Sequence, residues 1–357
     1  VEHHGGDAVM IRFALLVIAL LLAIPAWACD RPRQMDGFKT CADVDKAFQE
    51  GMIVHYAPDP ETEMAGYMAA FHKAFPQIQT NFMRLQTGAL YARLSAERQG
   101  KIYTPDTLML TEIGFAIDFQ KRGGYQLYAS PEASAYKPNE QSTPPGYFTW
   151  YSIIIAGIAY NPTLVTAAQA PKSYKDLLNP LWSDAVNTKL STSGLQHLAW
   201  YALRQRYGAD FWQKFGELRP RGFDSYVQQF DRMVSGQDKV VATAQYSGYL
   251  IAKAKGAPIE FVIPEEGMMA IPGVLGVVDH APHPEAARLF LDWYLGVPGQ
   301  TVMANGIKNY SARADVPPPP GGVPIGDFKL IVPENWDDFL KTHTQFVKEW
   351  DKMLGMR

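Results

Sequence analysis

Met52-Ile53-Val54-His55-Tyr56-Ala57, closed by Pro58-Asp59-Pro60, is followed by Met64, Met68, Phe71 and Phe75. The first six residues read as a short buried strand. The four apolar residues beyond the prolines recur at helical spacing. The pattern then repeats. Pro76 breaks the helix, and Ile78 to Leu85 can form a second strand. Thr87-Gly88-Ala89 opens a helix carrying Leu90 and Leu94, and Asp106 to Leu110 is a third short strand. Strand, helix, strand, helix, strand in this order predicts a parallel sheet with helices on its faces.

Downstream the same elements return. Tyr147 to Tyr160 is so apolar that a strand there is buried on both faces. Ser191-Thr192-Ser193-Gly194 leads a helix containing Leu198 and Tyr201. Tyr226 to Val234 is a further helix, and Lys239 to Gln245 and Ile259 to Ile263 are strands. Pro284 starts an amphipathic helix with Ala287, Leu289, Phe290, Trp293 and Tyr294 on one face. The tail from Trp336 to Met353 reads as helical.

The N-terminal stretch reads as an address. Arg12 precedes an unbroken apolar run, Phe13 to Ile24, and then Pro25-Ala26-Trp27-Ala28. A basic residue, an apolar core of that length and small residues at 26 and 28 fit a secretory signal, with Met10 as its start. The run is short for a membrane span. Removing 1–28 leaves 329 of the 357 residues and a net charge of -2 in place of -3. That length suits about two domains. The near-neutral charge gives no reason to expect a nucleic-acid partner. Only two cysteines are present, Cys29 and Cys41. In an exported chain they can pair with each other, and Cys29, first after the cleavage point, can alternatively carry a lipid.

No H-E-x-x-H, G-x-S-x-G or G-x-x-x-x-G-K-[ST] pattern occurs. What remains is a set of helix starts marked by small or hydroxyl residues: Thr87-Gly88, Ser193-Gly194 and Asp224-Ser225. A helix start offers unpaired N–H groups and the positive end of the helix dipole, which suits a carboxylate or a phosphate. Ordinary capping accounts for each of them taken singly.

The order of these pieces resembles family 1 extracellular solute-binding proteins of ABC importers, in the branch of ferric-ion, thiamine, phosphonate and sugar-phosphate binders. The resemblance rests on Ile53-Val54-His55-Tyr56, on Thr87 to Glu97, and on Ala159-Tyr160-Asn161-Pro162 with Pro171 to Leu178. Ser193-Gly194, Pro264-Glu265-Glu266-Gly267, His283 to Ala287, Asp292 to Leu295 and Pro298-Gly299-Gln300 complete it. It implies an α/β, two-lobed periplasmic-binding-protein fold of type II, each lobe a mostly parallel sheet flanked by helices, with a hinge of crossing strands. The expected boundaries are a signal segment 1–28 and an extension 29–50, then lobes of 51–150 plus 268–310 and of 151–267 plus 311–357. It also implies binding without turnover, a periplasmic monomer that uses no cofactor, and delivery of a small molecule to an inner-membrane permease. An exported hydrolase or lyase using the same cleft is the competing class.

The ligand stays open at this stage. A small organic anion would be held by Thr87, Gly88, Ser193, Gly194 and Ser225, with Tyr56, Trp150, Tyr151, Tyr226 or Tyr246 stacking on it or donating a phenol O–H. A cationic ligand such as thiamine would use Glu112 and Glu266 and aromatic faces. For ferric ion the resemblance carries over Glu112 and Tyr246. The family's histidine position falls near Pro60, so His55 would have to substitute, and the second adjacent tyrosine is Ser247. Hard Fe(III) wants more anionic oxygens than that.

Overall fold

Each alternation of strand and helix is present in the computed structural model, which describes Cys29 and residues 31–356. The signal-type segment 1–28 lies outside the described residues. Strands Gln79–Arg84, Met52–Ala57 and Thr107–Leu110 pair in parallel, with Met52–Ala57 in the middle. Strands Val186–Lys189, Arg221–Phe223 and Val240–Gln245 form a second parallel set, with Val186–Lys189 in the middle. Two long antiparallel strands, Thr149–Tyr160 and Met268–Val277, join the sets into one continuous sheet.

The long strands are apolar because each is covered on both faces. All ten residues of Met268–Val277 are buried. Along each strand the surroundings change from one lobe to the other. Tyr151 packs with Tyr67, Phe290 and Tyr294 in the first lobe, whereas Ile154, Ala156 and Ile158 pack with Trp182, Leu198 and Trp200 in the second. On the return strand Met269 and Ile271 belong to the second lobe's core and Leu275 and Val277 to the first. The lobes therefore exchange near residues 152–153 and 272–273, not at 150 and 268. Nothing in a uniformly apolar strand marks the point at which its neighbours change.

The stretch 29–50 is not a loose extension. Phe38, Ala42, Val44 and Ala47 are buried in the first lobe's core. Helix Val44–Glu50 starts on the Asp43 side chain, which accepts from the Lys46 N–H, and ends on Gly51, whose positive φ of 68° closes the turn into the first strand. Cys29 and Cys41 are joined by a disulfide with Cα atoms 5.9 Å apart. Beside it, the buried Asp292 carboxylate accepts from Thr40 Oγ1 at 2.6 Å, the Cys41 N–H at 3.1 Å and the Tyr128 O–H at 2.5 Å.

The tail crosses between the lobes a third time. Ala312 packs in the first lobe, and Phe339, Phe346 and Trp350 pack in the second. Helices Trp336–Lys341 and His343–Met353 thus belong to the second lobe but also touch the first. A Cβ added at Gly114 would lie 2.4 Å from Leu340 Cδ2, and the Phe115 and His343 rings sit 5.0 Å apart. No helix among the described residues is long and apolar enough to cross a membrane.

Candidate functional site

In a parallel sheet the loops leaving the carboxyl ends of the strands, with the helix starts they lead into, converge on one edge. Here both lobes turn that edge toward each other. The crevice between them is lined by Asp59 and Pro60, Arg84 and Gln86, and Thr111 from the first lobe, and by Lys189 and Ser193, Ser225 and Tyr226, and Gln245 from the second. Ile154 and Ile271 of the crossing strands form its floor. These residues lie at or just before the starts of six helices: Glu61–Ala74, Thr87–Gln99, Ile113–Lys121, Gly194–Tyr207, Tyr226–Val234 and Tyr246–Ala254. Six partial positive charges therefore converge on one small volume.

The lobes are closed on each other. Arg84 Nη1 lies 2.5 Å from Asp224 Oδ2, and Gln86 Nε2 donates to the Asp224 carbonyl at 2.6 Å. A Cβ on Gly88 would approach Thr192 Cα to 3.6 Å, and one on Gly194 would meet the Thr111 carbonyl at 2.7 Å. The missing side chain at Gly194 lets the two backbones meet.

Two cations point into this closed space. Lys189 is only 4% exposed, and its ammonium makes no hydrogen bond within the described residues. Burial pushes its pKa down to about 8, because desolvating the ammonium costs more than the nearby Asp224 and Glu63 carboxyls restore. Arg84 spends one nitrogen on Asp224, while its Nη2 is buried without a partner. The Tyr226 O–H, Thr192 Oγ1 and Gln196 Nε2 are likewise buried and unpaired. Buried polar groups in proteins are nearly always satisfied, so the unpaired Arg84 Nη2 and Tyr226 O–H on the crevice wall mark groups available to a bound solute.

The sequence-derived residues divide into two groups. Ser193, Ser225 and Tyr226 line the crevice. Thr87, Gly88 and Gly194 stand at the same seam, with Thr87 Oγ1 2.8 Å from Thr111 Oγ1. The others sit elsewhere. Tyr56 is in the first lobe's core with its O–H 3.4 Å from Glu97, because strand alternation turns it away from the edge. Trp150 lies over a separate groove with Trp336, ring centroids 6.2 Å apart. Tyr151 is fully buried at the hinge, its O–H unpaired. Tyr246 packs against Tyr310, Phe261 and Phe328. Glu266 accepts from the Tyr174 N–H at 2.9 Å and from the Tyr207 O–H. Glu112 is buried between the lobes, with Oε1 2.9 Å from His197 Nδ1. His55 bonds Thr107 Oγ1 at 2.8 Å and Tyr67 O–H at 3.1 Å, and burial pushes its pKa down to about 3. Glu112, Tyr246 and His55 thus have separate surroundings and no shared coordination point.

Arg84, Lys189, Asp59, Gln86, Thr111 and Gln245 were not anticipated from sequence. Their signal was positional: each stands just before a helix start, and all but Lys189 lie at the end of a predicted strand or just after it. Lys189 precedes the Ser191-Thr192-Ser193-Gly194 start by two residues, and Arg84 precedes Thr87-Gly88 by three.

Two α/β lobes meeting at a closed, cation-lined crevice define a solute-binding protein. The chain belongs to the bacterial extracellular solute-binding protein family, whose model matches residues 102–324. It is a binding protein and not an enzyme. An uncharacterized protein of Haemophilus influenzae is 23% identical over 247 residues, 64% of this chain and 69% of that one. Among solved structures, the periplasmic binding protein AfuA from Actinobacillus pleuropneumoniae, with exogenous fructose-6-phosphate bound, superposes with a TM-score of 0.75 at 19% identity, covering 86% of this chain and 99% of that one. Iron-bound HitA from Pseudomonas aeruginosa does so with a TM-score of 0.70 at 18% identity, covering 85% and 99%. The fold is that of the type II periplasmic binding proteins.

Proposed function

We propose that this chain is the substrate-binding component of an ABC importer, that it works as a periplasmic monomer exported by its N-terminal signal, and that its solute is a small organic anion. One observation carries the reading: the buried Lys189 and the half-paired guanidinium of Arg84 line a crevice on which six helix starts converge. An anion there replaces lost hydration with charge-assisted hydrogen bonds and bridges groups from both lobes. Closure around the solute then gives the permease a shape that differs from the open one. The cleft's positive character speaks against a cation such as thiamine. A ferric site would need Glu112 and Tyr246 together, which their separate surroundings do not support.

The test is calorimetric titration of the exported form with fructose 6-phosphate, glycerol 3-phosphate, citrate, thiamine and ferric citrate. Binding of an organic phosphate or carboxylate, weakened by Lys189→Met, is the expected result. Thiamine binding alone, or a visible phenolate-to-iron band after ferric loading, would overturn the anion assignment.

A further inference from the structure

A buried chain of hydrogen bonds crosses from one lobe to the other. Its centre is His197, fully buried on helix Gly194–Tyr207 of the second lobe. Nδ1 lies 2.9 Å from Oε1 of Glu112, which directly precedes helix Ile113–Lys121 of the first lobe. Nε2 lies 3.0 Å from Oγ1 of Thr342 on the tail. The ring stacks on Phe339 and Phe346, with centroids 4.1 and 4.8 Å away, so water has no access to it from those sides. The Thr342 hydroxyl has one hydrogen and donates it to the Phe339 carbonyl at 2.6 Å. It therefore accepts from His197, and Nε2 carries a hydrogen. That leaves Nδ1 facing a carboxylate oxygen. Two lone pairs 2.9 Å apart repel, so a hydrogen lies between them as well. Either His197 is an imidazolium or Glu112 is a carboxylic acid. The count is the same in both cases: one hydrogen more than a neutral histidine and an ionised glutamate carry.

Separated in water above about pH 7, a histidine and a glutamate hold no such extra proton. The two residues belong to different lobes, so they meet only when the lobes close. We infer that a proton is a co-ligand of this protein, taken up between Glu112 and His197 on closure and released on opening. The inference goes beyond the anion reading and does not depend on which solute is carried. By reciprocity, a solute that favours closure binds more tightly as pH falls. The other titratable group at the pair is His343, whose Nε2 lies 3.7 Å from the same Glu112 oxygen. Burial holds its pKa below the ordinary histidine value, with Glu112 partly opposing, so it stays neutral above about pH 7. On the flanking helices Arg204 pairs with Glu349, Asp210 with Lys214 and Asp338 with Lys341, all toward solvent.

A covalent lock makes the test independent of any solute. A Cβ on Gly88 would lie 3.9 Å from Thr192 Cβ, inside the span of about 3.5–4.5 Å that a disulfide bridges. Gly88→Cys with Thr192→Cys in the exported protein should therefore bond and hold the lobes closed, as mass spectrometry reads. Urea unfolding of the locked protein is then followed from pH 7.5 to 9. The reference is the locked protein carrying Glu112→Gln, whose amide donates to Nδ1 without an added proton. The folded Glu112–His197 pair binds a proton that the unfolded chain lacks, so stability falls as pH rises. The folding constant of the locked protein is expected to fall, relative to the Glu112→Gln reference, by about threefold to tenfold per pH unit. His197→Gln in the locked background should remove the same slope, and it serves should Glu112→Gln fold poorly. Parallel profiles for the locked protein and these variants would overturn the inference. Failure of the two cysteines to bond would also overturn it, because the seam would not close as described. Both outcomes leave the anion reading standing, since that rests on Lys189 and Arg84.

Discussion

Replacing Lys189 with Met should make the protein more stable and a poorer receptor at once. With the lobes closed on each other Lys189 is buried, and its pKa falls from 10.5 to about 8. A shift of that size corresponds to up to ~3 kcal/mol of destabilisation. Met fills a similar volume with no charge to desolvate, so Lys189→Met should recover a large part of it, seen as a rise of several degrees in Tm. The sign with pH is fixed. Below about pH 8 the folded chain carries the buried charge and the cost is constant. Between about 8 and 10.5 the unfolded chain binds the extra proton, so wild-type stability rises with pH. Met removes that contribution. Affinity should move the other way. Losing one partner of a buried, charge-assisted contact costs about 2–5 kcal/mol, roughly a 30- to 5,000-fold increase in Kd. Urea unfolding at pH 7 and pH 9.5 and calorimetry with the best anion read both effects. A variant of lower stability, or one that binds the anion as well as wild type, would refute the view of Lys189 as an unsatisfied cation reserved for the solute.

Gly114→Val should lift the tail from the first lobe, because its Cβ would press on Leu340. A loss of about 1–3 kcal/mol is expected, with faster hydrogen exchange in 336–353. Reducing Cys29–Cys41, which are 12 residues apart, should cost about 3 kcal/mol while leaving solute affinity unchanged, and a thermal melt with and without dithiothreitol measures it. Trp150→Ala and Tyr246→Phe should leave the calorimetric Kd within about twofold, since neither side chain lines the crevice. A tenfold change for either would require a different ligand position.

The sequence was most informative about elements and least about direction. Tyr56 and Asp59 stand three residues apart, yet strand alternation sends one into a core and the turn puts the other on the ligand edge. Hydroxyl-marked helix starts were legible, and of the residues they mark Ser193 and Ser225 line the crevice. Lys189 was not, because a lysine after Val186-Asn187-Thr188 looks like an exposed strand end. Its burial depends on the first lobe closing over the crevice with Asp59, Arg84 and Thr111, while the Trp350 indole N–H, 161 residues away, donates to its carbonyl at 2.9 Å. Glu112 and Glu266 looked available as charges, but His197 in one case and Tyr174 with Tyr207 in the other already engage them. Such contacts across the chain leave no trace in spacing.

The tie at Cys41 has a mechanical consequence. Through the disulfide, Cys29 is fastened to a segment whose Thr40 and Cys41 hold the buried Asp292 of the first lobe. A force applied at Cys29 is therefore transmitted to the first lobe. The second lobe, carrying the tail and Lys189, would swing relative to that fixed body. The frame of reference for opening is set at the N-terminal end of the described chain, and the excursion of the cation is what an observer fixed to the first lobe would see.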